Sequence, residues 1–142
     1  MSEEHLDSDA WILLAIIYAS REEPAALDGV IAAADYINHA IVVFEEMEGA
    51  LARLSTGGYI AHAEDKLSPT EKSLEFYRSV TKPRRPMLTE WEDLREFLGA
   101  PKWDPRQKPQ SANTGVSYPS LTRAAFDEAV DFYLARHAKK KK

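Results

Sequence analysis

Apolar side chains recur at helical spacing along most of this chain. Between about Asp9 and Ser20, Trp11, Leu14, Ala15 and Tyr18 fall at i, i+3, i+4 and i+7. Ile12, Leu13, Ile16 and Ile17 fill much of the remaining circumference, and a helix apolar nearly all round belongs at the centre of a core. Asp7 or Ser8 can cap its start, and Pro24 lies beyond its end. A second helix is predicted from about Asp28 to Ile37, with Val30, Ile31, Ala34 and Ile37 inward and Asn38 as a left-handed terminator. A third follows from about Val43 to Thr56. At 100° per residue, Val43, Met47, Ala50, Leu51 and Leu54 share its inner side, and Glu45, Glu48, Gly49, Ala52 and Arg53 are expected on the outer one.

Gly57-Gly58 stops that helix, and Tyr59-Ile60-Ala61-His62 has strand character. Glu64-Asp65-Lys66 reads as a tight turn, with a short return strand from Leu67. Ser68-Pro69-Thr70-Glu71 carries a capping-box pattern with Pro at the first helical position. Leu74, Tyr77 and Val80 then form an apolar stripe.

Two blocks carry a family resemblance. Residues 44–60, Phe44 to Ile60, combine leucine–basic–leucine at Leu51, Arg53 and Leu54 with a glycine break and an apolar strand. Leu67-Ser68-Pro69-Thr70-Glu71-Lys72 follows the expected hairpin. This order resembles the winged-helix superfamily of bacterial regulators, over about residues 8–80. The resemblance implies a mainly α fold, with a three-helix winged-helix domain and a short β-hairpin wing. It also implies a third helix that reads the DNA major groove, a wing against phosphate or minor groove, and a homodimer formed through terminal helices.

Charge changes that picture. Residues 1–77 hold 4 Lys/Arg against 15 Asp/Glu, net −11, whereas residues 78–142 hold 14 against 8, net +6. The division falls near Lys82-Pro83-Arg84-Arg85-Pro86, so the winged-helix domain is assigned to 1–82 and a basic C-terminal extension to 83–142. The third helix offers DNA Glu45 and Glu48 with Arg53 as its single cation, and the hairpin adds His62, Glu64, Asp65 and Lys66. Duplex DNA presents one negative charge per roughly 1.7 Å, so such a surface is repelled. Gly49 and Ala52 suggest another use, a groove where the backbone of a partner helix approaches closely, from this protein's own C-terminal segment or a second subunit. Tolerated surface variation accounts for the same small residues.

In the extension, Thr89-Glu90-Trp91-Glu92 is a second capping-box pattern, and a short helix is predicted over about 90–98 before Gly99 and Pro101. Residues 100–117 read as a long loop, rich in Pro, Gln, Asn, Ser and Gly. A final helix is expected from about 120 to 137, capped by Ser120. Its face of Phe126, Val130, Tyr133 and Leu134 is expected to dock on the acidic half or on a second subunit. Early acids and late bases suit that helix's dipole.

No catalytic, cofactor or metal constellation emerges. With no Cys, thiolate chemistry is excluded, and His5, His39, His62 and His137 form no metal-ligand spacing. Asp35 and His39 lie four apart, which reads as a surface contact. The longest apolar run, residues 10–19, is too short to span a membrane, and acids precede it where a signal peptide needs bases, so a cytoplasmic location is expected. The residues support a non-enzymatic regulatory or protein-interaction module. The alternative is a DNA-binding regulator whose phosphate contacts come from Lys82, Arg84, Arg85, Lys139 and Lys140.

Overall fold

The computed structural model describes residues 7–21, 23–38, 42, 44–63, 66–81, 86–99 and 123–140, the side chains at 7, 38, 45, 62, 63, 87, 88, 123 and 136–140 aside. Among them are six helices and one two-stranded antiparallel sheet. The order is α1 (Asp7–Ala19), α2 (Leu27–Asn38), α3 (Phe44–Thr56), β1 (Ile60–Ala63), β2 (Lys66–Pro69), α4 (Glu71–Val80), α5 (Met87–Leu98) and α6 (Arg123–Lys140). None of these helices is long and apolar enough to cross a membrane.

Helix α1 is central, as its all-round apolar sequence predicts. Every residue from Asp9 to Ile17 is buried, and α1 packs on α2, α3, α5 and β2. Trp11 shows how one residue serves two neighbours. Its indole donates to the Ala34 carbonyl of α2 at 2.9 Å and stacks on Trp91 of α5, with centroids 6.1 Å apart. The inward residues of α2 and α3, including Val30, Ile31, Met47, Leu51 and Leu54, close the same core.

The hairpin pairs Ile60 with Pro69, Ala61 with Ser68, His62 with Leu67 and Ala63 with Lys66. Gly58 turns the chain out of α3 at φ +79°, a left-handed conformation that lets the Tyr59 amide reach back to the Leu54 carbonyl at 2.9 Å. One pairing was not foreseen. Ala25, between α1 and α2, forms an antiparallel bridge with Leu67 through two backbone hydrogen bonds of 2.8 and 2.7 Å, so β2 is paired on both edges.

Both capping boxes are corrected. Ser68 and Pro69 belong to β2, where hairpin pairing holds them extended. Helix α4 therefore starts at Glu71, and the N-cap Thr70 donates its hydroxyl to the Gly58 carbonyl at 2.7 Å instead of capping the helix. Helix α5 begins at Met87, a turn earlier than expected, behind Pro86 at the N-cap. Thr89 consequently lies inside the first turn, its hydroxyl on the Pro86 carbonyl at 2.5 Å. The predicted cap Ser120 and the loop 100–117 lie outside the described residues.

The extension packs on the acidic half. Phe97 of α5 stacks on Phe76 of α4 at 4.2 Å and meets Tyr59 edge-on at 5.4 Å. Helix α6 lies along α2, and Phe126 meets Phe44 of α3 edge-on at 5.7 Å.

Candidate functional site

The expected outer face of α3 is largely covered. Gly49 and Ala52 are buried, Arg53 is 5% exposed and Glu48 is half-buried. Among the described side chains of α3, only Thr56 is exposed. The side chain of Glu45 lies outside the description. Gly49, Ala52 and Arg53 are therefore not at the surface of this chain, and Arg53 is turned onto α1, because a buried carboxylate there supplies its opposite charge.

Arg53 is the clearest case. Its Nε and Nη2 donate to the two carboxylate oxygens of Asp9, each at 2.8 Å, and Asp9 is fully buried. This two-pronged pair ties α3 to the first turn of α1. The arginine that a DNA-reading helix would extend to phosphate is neutralised inside the fold.

A second polar centre lies where the extension meets the acidic half. Glu90 of α5 is buried, and its carboxylate accepts from Tyr18 of α1 at 2.5 Å and from Thr81 at the end of α4 at 2.6 Å. The Tyr77 hydroxyl of α4 stands 3.2 Å from one Glu90 oxygen and 3.3 Å from the other. Burial, followed by the bond to Glu90, pushes the Tyr18 hydroxyl above its ordinary pKa. Sequence reasoning missed this cluster, because Glu90 read as part of a capping box and its hydroxyl partners stand on other elements, 9, 13 and 72 residues away.

The candidate docking face of α6 divides. Phe126 is buried, and Val130 and Tyr133 pack partly buried against the core. The Tyr133 hydroxyl donates to Asp35 of α2 at 2.5 Å, and that bond, followed by burial, pushes its pKa up to about 12. Asp35 thus meets Tyr133 across helices. Leu134 does not join that docking on the acidic half, and is 46% exposed. It lies about 80° round the helix from Phe126, past the edge of the stripe that meets α2.

Of the candidate nucleic-acid contacts, Lys82, Arg84 and Arg85 lie outside the described residues. Lys139 and Lys140 belong to the last turn of α6, with their side chains outside the description. A cleft of about 420 Å³ opens between the end of α1, β2 and α4, with Arg21 and Arg78 in its lining. Both are already engaged, Arg78 with Glu71 at 3.0 Å and Arg21 over the Tyr18 ring at 4.6 Å. Among the described residues, no three His, Asp or Glu side chains come together as a metal-holding group. Comparison of the chain with protein-family models, curated proteins and solved structures finds no match.

Proposed function

We propose that this chain is a non-enzymatic winged-helix module that acts through protein–protein contact, in a regulatory or dimerising role, and that its third helix does not enter DNA. Two features support the winged-helix reading. The elements run helix, single-residue bridge strand, helix, helix and hairpin, and the Ala25–Leu67 bridge joins the segment between α1 and α2 to that hairpin.

The observation that carries the functional reading is the covered outer side of α3. A recognition helix reads bases with side chains that project into the groove, and phosphate neutralisation needs cations at the surface. Here Arg53 is buried against Asp9, Gly49 and Ala52 are enclosed, and Thr56 is the only exposed side chain described on that helix.

The test is titration of the full chain with mixed-sequence duplex DNA at several salt concentrations. The expected result is no sub-micromolar binding near roughly 150 mM salt. Tight binding with a steep salt slope would overturn the proposal. Loss of that binding on removal of Lys139–Lys142 would assign the contacts to the basic tail.

A further inference from the structure

The bridge between Ala25 and Leu67 does more than close the second edge of β2. It fixes Pro24, one residue before Ala25, relative to Ser68 and Pro69, just after Leu67, and the cleft of about 420 Å³ opens at that crossing. Tyr77 is a second fixed wall, because its hydroxyl is held by Glu90. Two prolines, a backbone bridge and a buried carboxylate thus set the shape of the cleft before anything enters it. Its volume lies within the roughly 300–1,000 Å³ of small-molecule sites.

The lining divides by chemistry. Ile17, Pro24, Pro69 and Leu74 give it an apolar part, and Arg21 and Arg78 supply two guanidinium groups. Residues 1–77 hold only 4 Lys/Arg, and Arg53 is buried on Asp9, so two arginines at one cleft are a local reversal of charge. Glu23 is the one acid in the lining, and two positive charges against one negative suit a monoanion.

Neither arginine is closed to such a ligand. The Arg21 guanidinium carbon lies 4.6 Å from the centre of the Tyr18 ring, and among the described residues Arg21 makes no ion pair. A ring contact leaves a five-donor guanidinium with N–H groups to give. Arg78 meets Glu71 through one Nη1 bond of 3.0 Å, with side chains 63% and 73% exposed, so water already competes for both and a second carboxylate can share the fork. The Ser20 hydroxyl is committed to the Ile16 carbonyl at 2.6 Å, whereas the Ser68 hydroxyl has no partner among the described residues and adds a donor.

We infer that this cleft binds a small monocarboxylate with an apolar tail, its head held by Arg21 and Arg78 and its tail on Leu74 and the two prolines. Helix α3 contributes no residue to the lining, so the site goes beyond the protein-contact reading and does not depend on it.

The experiment follows the backbone amide signals of the full chain by NMR during titration with hexanoate, at a constant ionic strength of roughly 150 mM. Hexanoate should saturate with a constant of roughly 1 mM or tighter and should shift Ser68, Leu74 and Arg78 most. Acetate offers the head without the tail, and hexylammonium offers the tail with the opposite charge. Each should bind at least roughly tenfold more weakly than hexanoate.

Arg21→Gln and Arg78→Gln, both at exposed positions, should each weaken hexanoate roughly tenfold while the spectrum stays that of the folded chain. Glu23→Gln should tighten it, because the lining then holds no acid. No saturation by roughly 20 mM, equal affinity for acetate or hexylammonium, or indifference to both arginine variants would each overturn the inference. None of those results bears on DNA binding, which the titration above decides independently.

Discussion

Arg53 reaches from the third helix to Asp9 at the start of the first, across 44 residues of chain, and holds both of its carboxylate oxygens. The pair closes the fold between the third helix and the first, and both charges are buried in doing so. Removing either charge leaves the other buried.

Arg53→Met is therefore expected to cost about 3–5 kcal/mol, since it strands the Asp9 carboxylate. Asp9→Leu combined with Arg53→Met should recover most of that loss, because a well-packed apolar pair is often as stable as a buried ion pair. Urea denaturation of the two variants checks this. A double variant no more stable than Arg53→Met would contradict it.

Glu90 joins α5 to α1 and to the end of α4 through Tyr18, Tyr77 and Thr81. Glu90→Ala should cost about 2–3 kcal/mol, because buried hydroxyls lose a charged acceptor. Tyr18→Phe should cost about 1.5–3 kcal/mol for one charge-assisted bond. Limited proteolysis should cut within α5 faster in Glu90→Ala. Unchanged cleavage would show that the aromatic contacts of Phe97 and Trp91 hold α5 without the carboxylate.

Gly58 and Gly57 should respond to alanine for different reasons. At Gly58 a Cβ meets nothing within 4 Å, so the cost is that of the left-handed backbone, about 1–2 kcal/mol. At Gly57 the Cβ would stand 2.7 Å from the Tyr59 ring, which must move. Thermal melts of both variants, with the NMR ring signals of Tyr59 as a local reporter, separate the two causes. Ring displacement is expected only for Gly57→Ala.

Tyr133 should make the docking of α6 sensitive to alkali. Its hydroxyl, held by Asp35, titrates at about 12 in the fold against an ordinary value of 10.0. The protonated form is thus favoured by folding, so its contribution is complete below pH 10 and is lost as pH rises through about 12. Tyr133→Phe should be less stable than the parent at neutral pH and should lack that component of the alkaline loss. Parallel stability-against-pH curves from urea melts would refute the assignment.

Apolar period was enough to locate every described helix, because burying a stripe every 3.6 residues is a local demand of the chain. It was also enough to make α1 central, since Trp11 to Ile17 leave almost no polar side to face water. The glycine stop and the hairpin were equally legible, because Gly57-Gly58 acts through its own backbone and the residues from Tyr59 and from Leu67 carry strand character in their own sequence. Capping patterns were less secure. Ser68 and Pro69 satisfy a helix-start pattern and yet serve a strand, because hairpin pairing uses more of their backbone than a cap would.

What tertiary structure alone decided is where the polar residues go. Arg53 and Asp9 look like solvated charges in the sequence, and Glu90 looks like a cap, because nothing in local spacing records a partner 44 or 72 residues away. Ala25 carries no strand period, since one bridging residue is too short to have one, yet it fixes β2 on its second edge. The division of the α6 stripe, with Phe126 inside and Leu134 outside, depends on how far α2 wraps round it. Hydrophobic burial is a property of a pattern and can be read along the chain. A buried charge needs one particular opposite group at bonding distance, and only the packed fold supplies it.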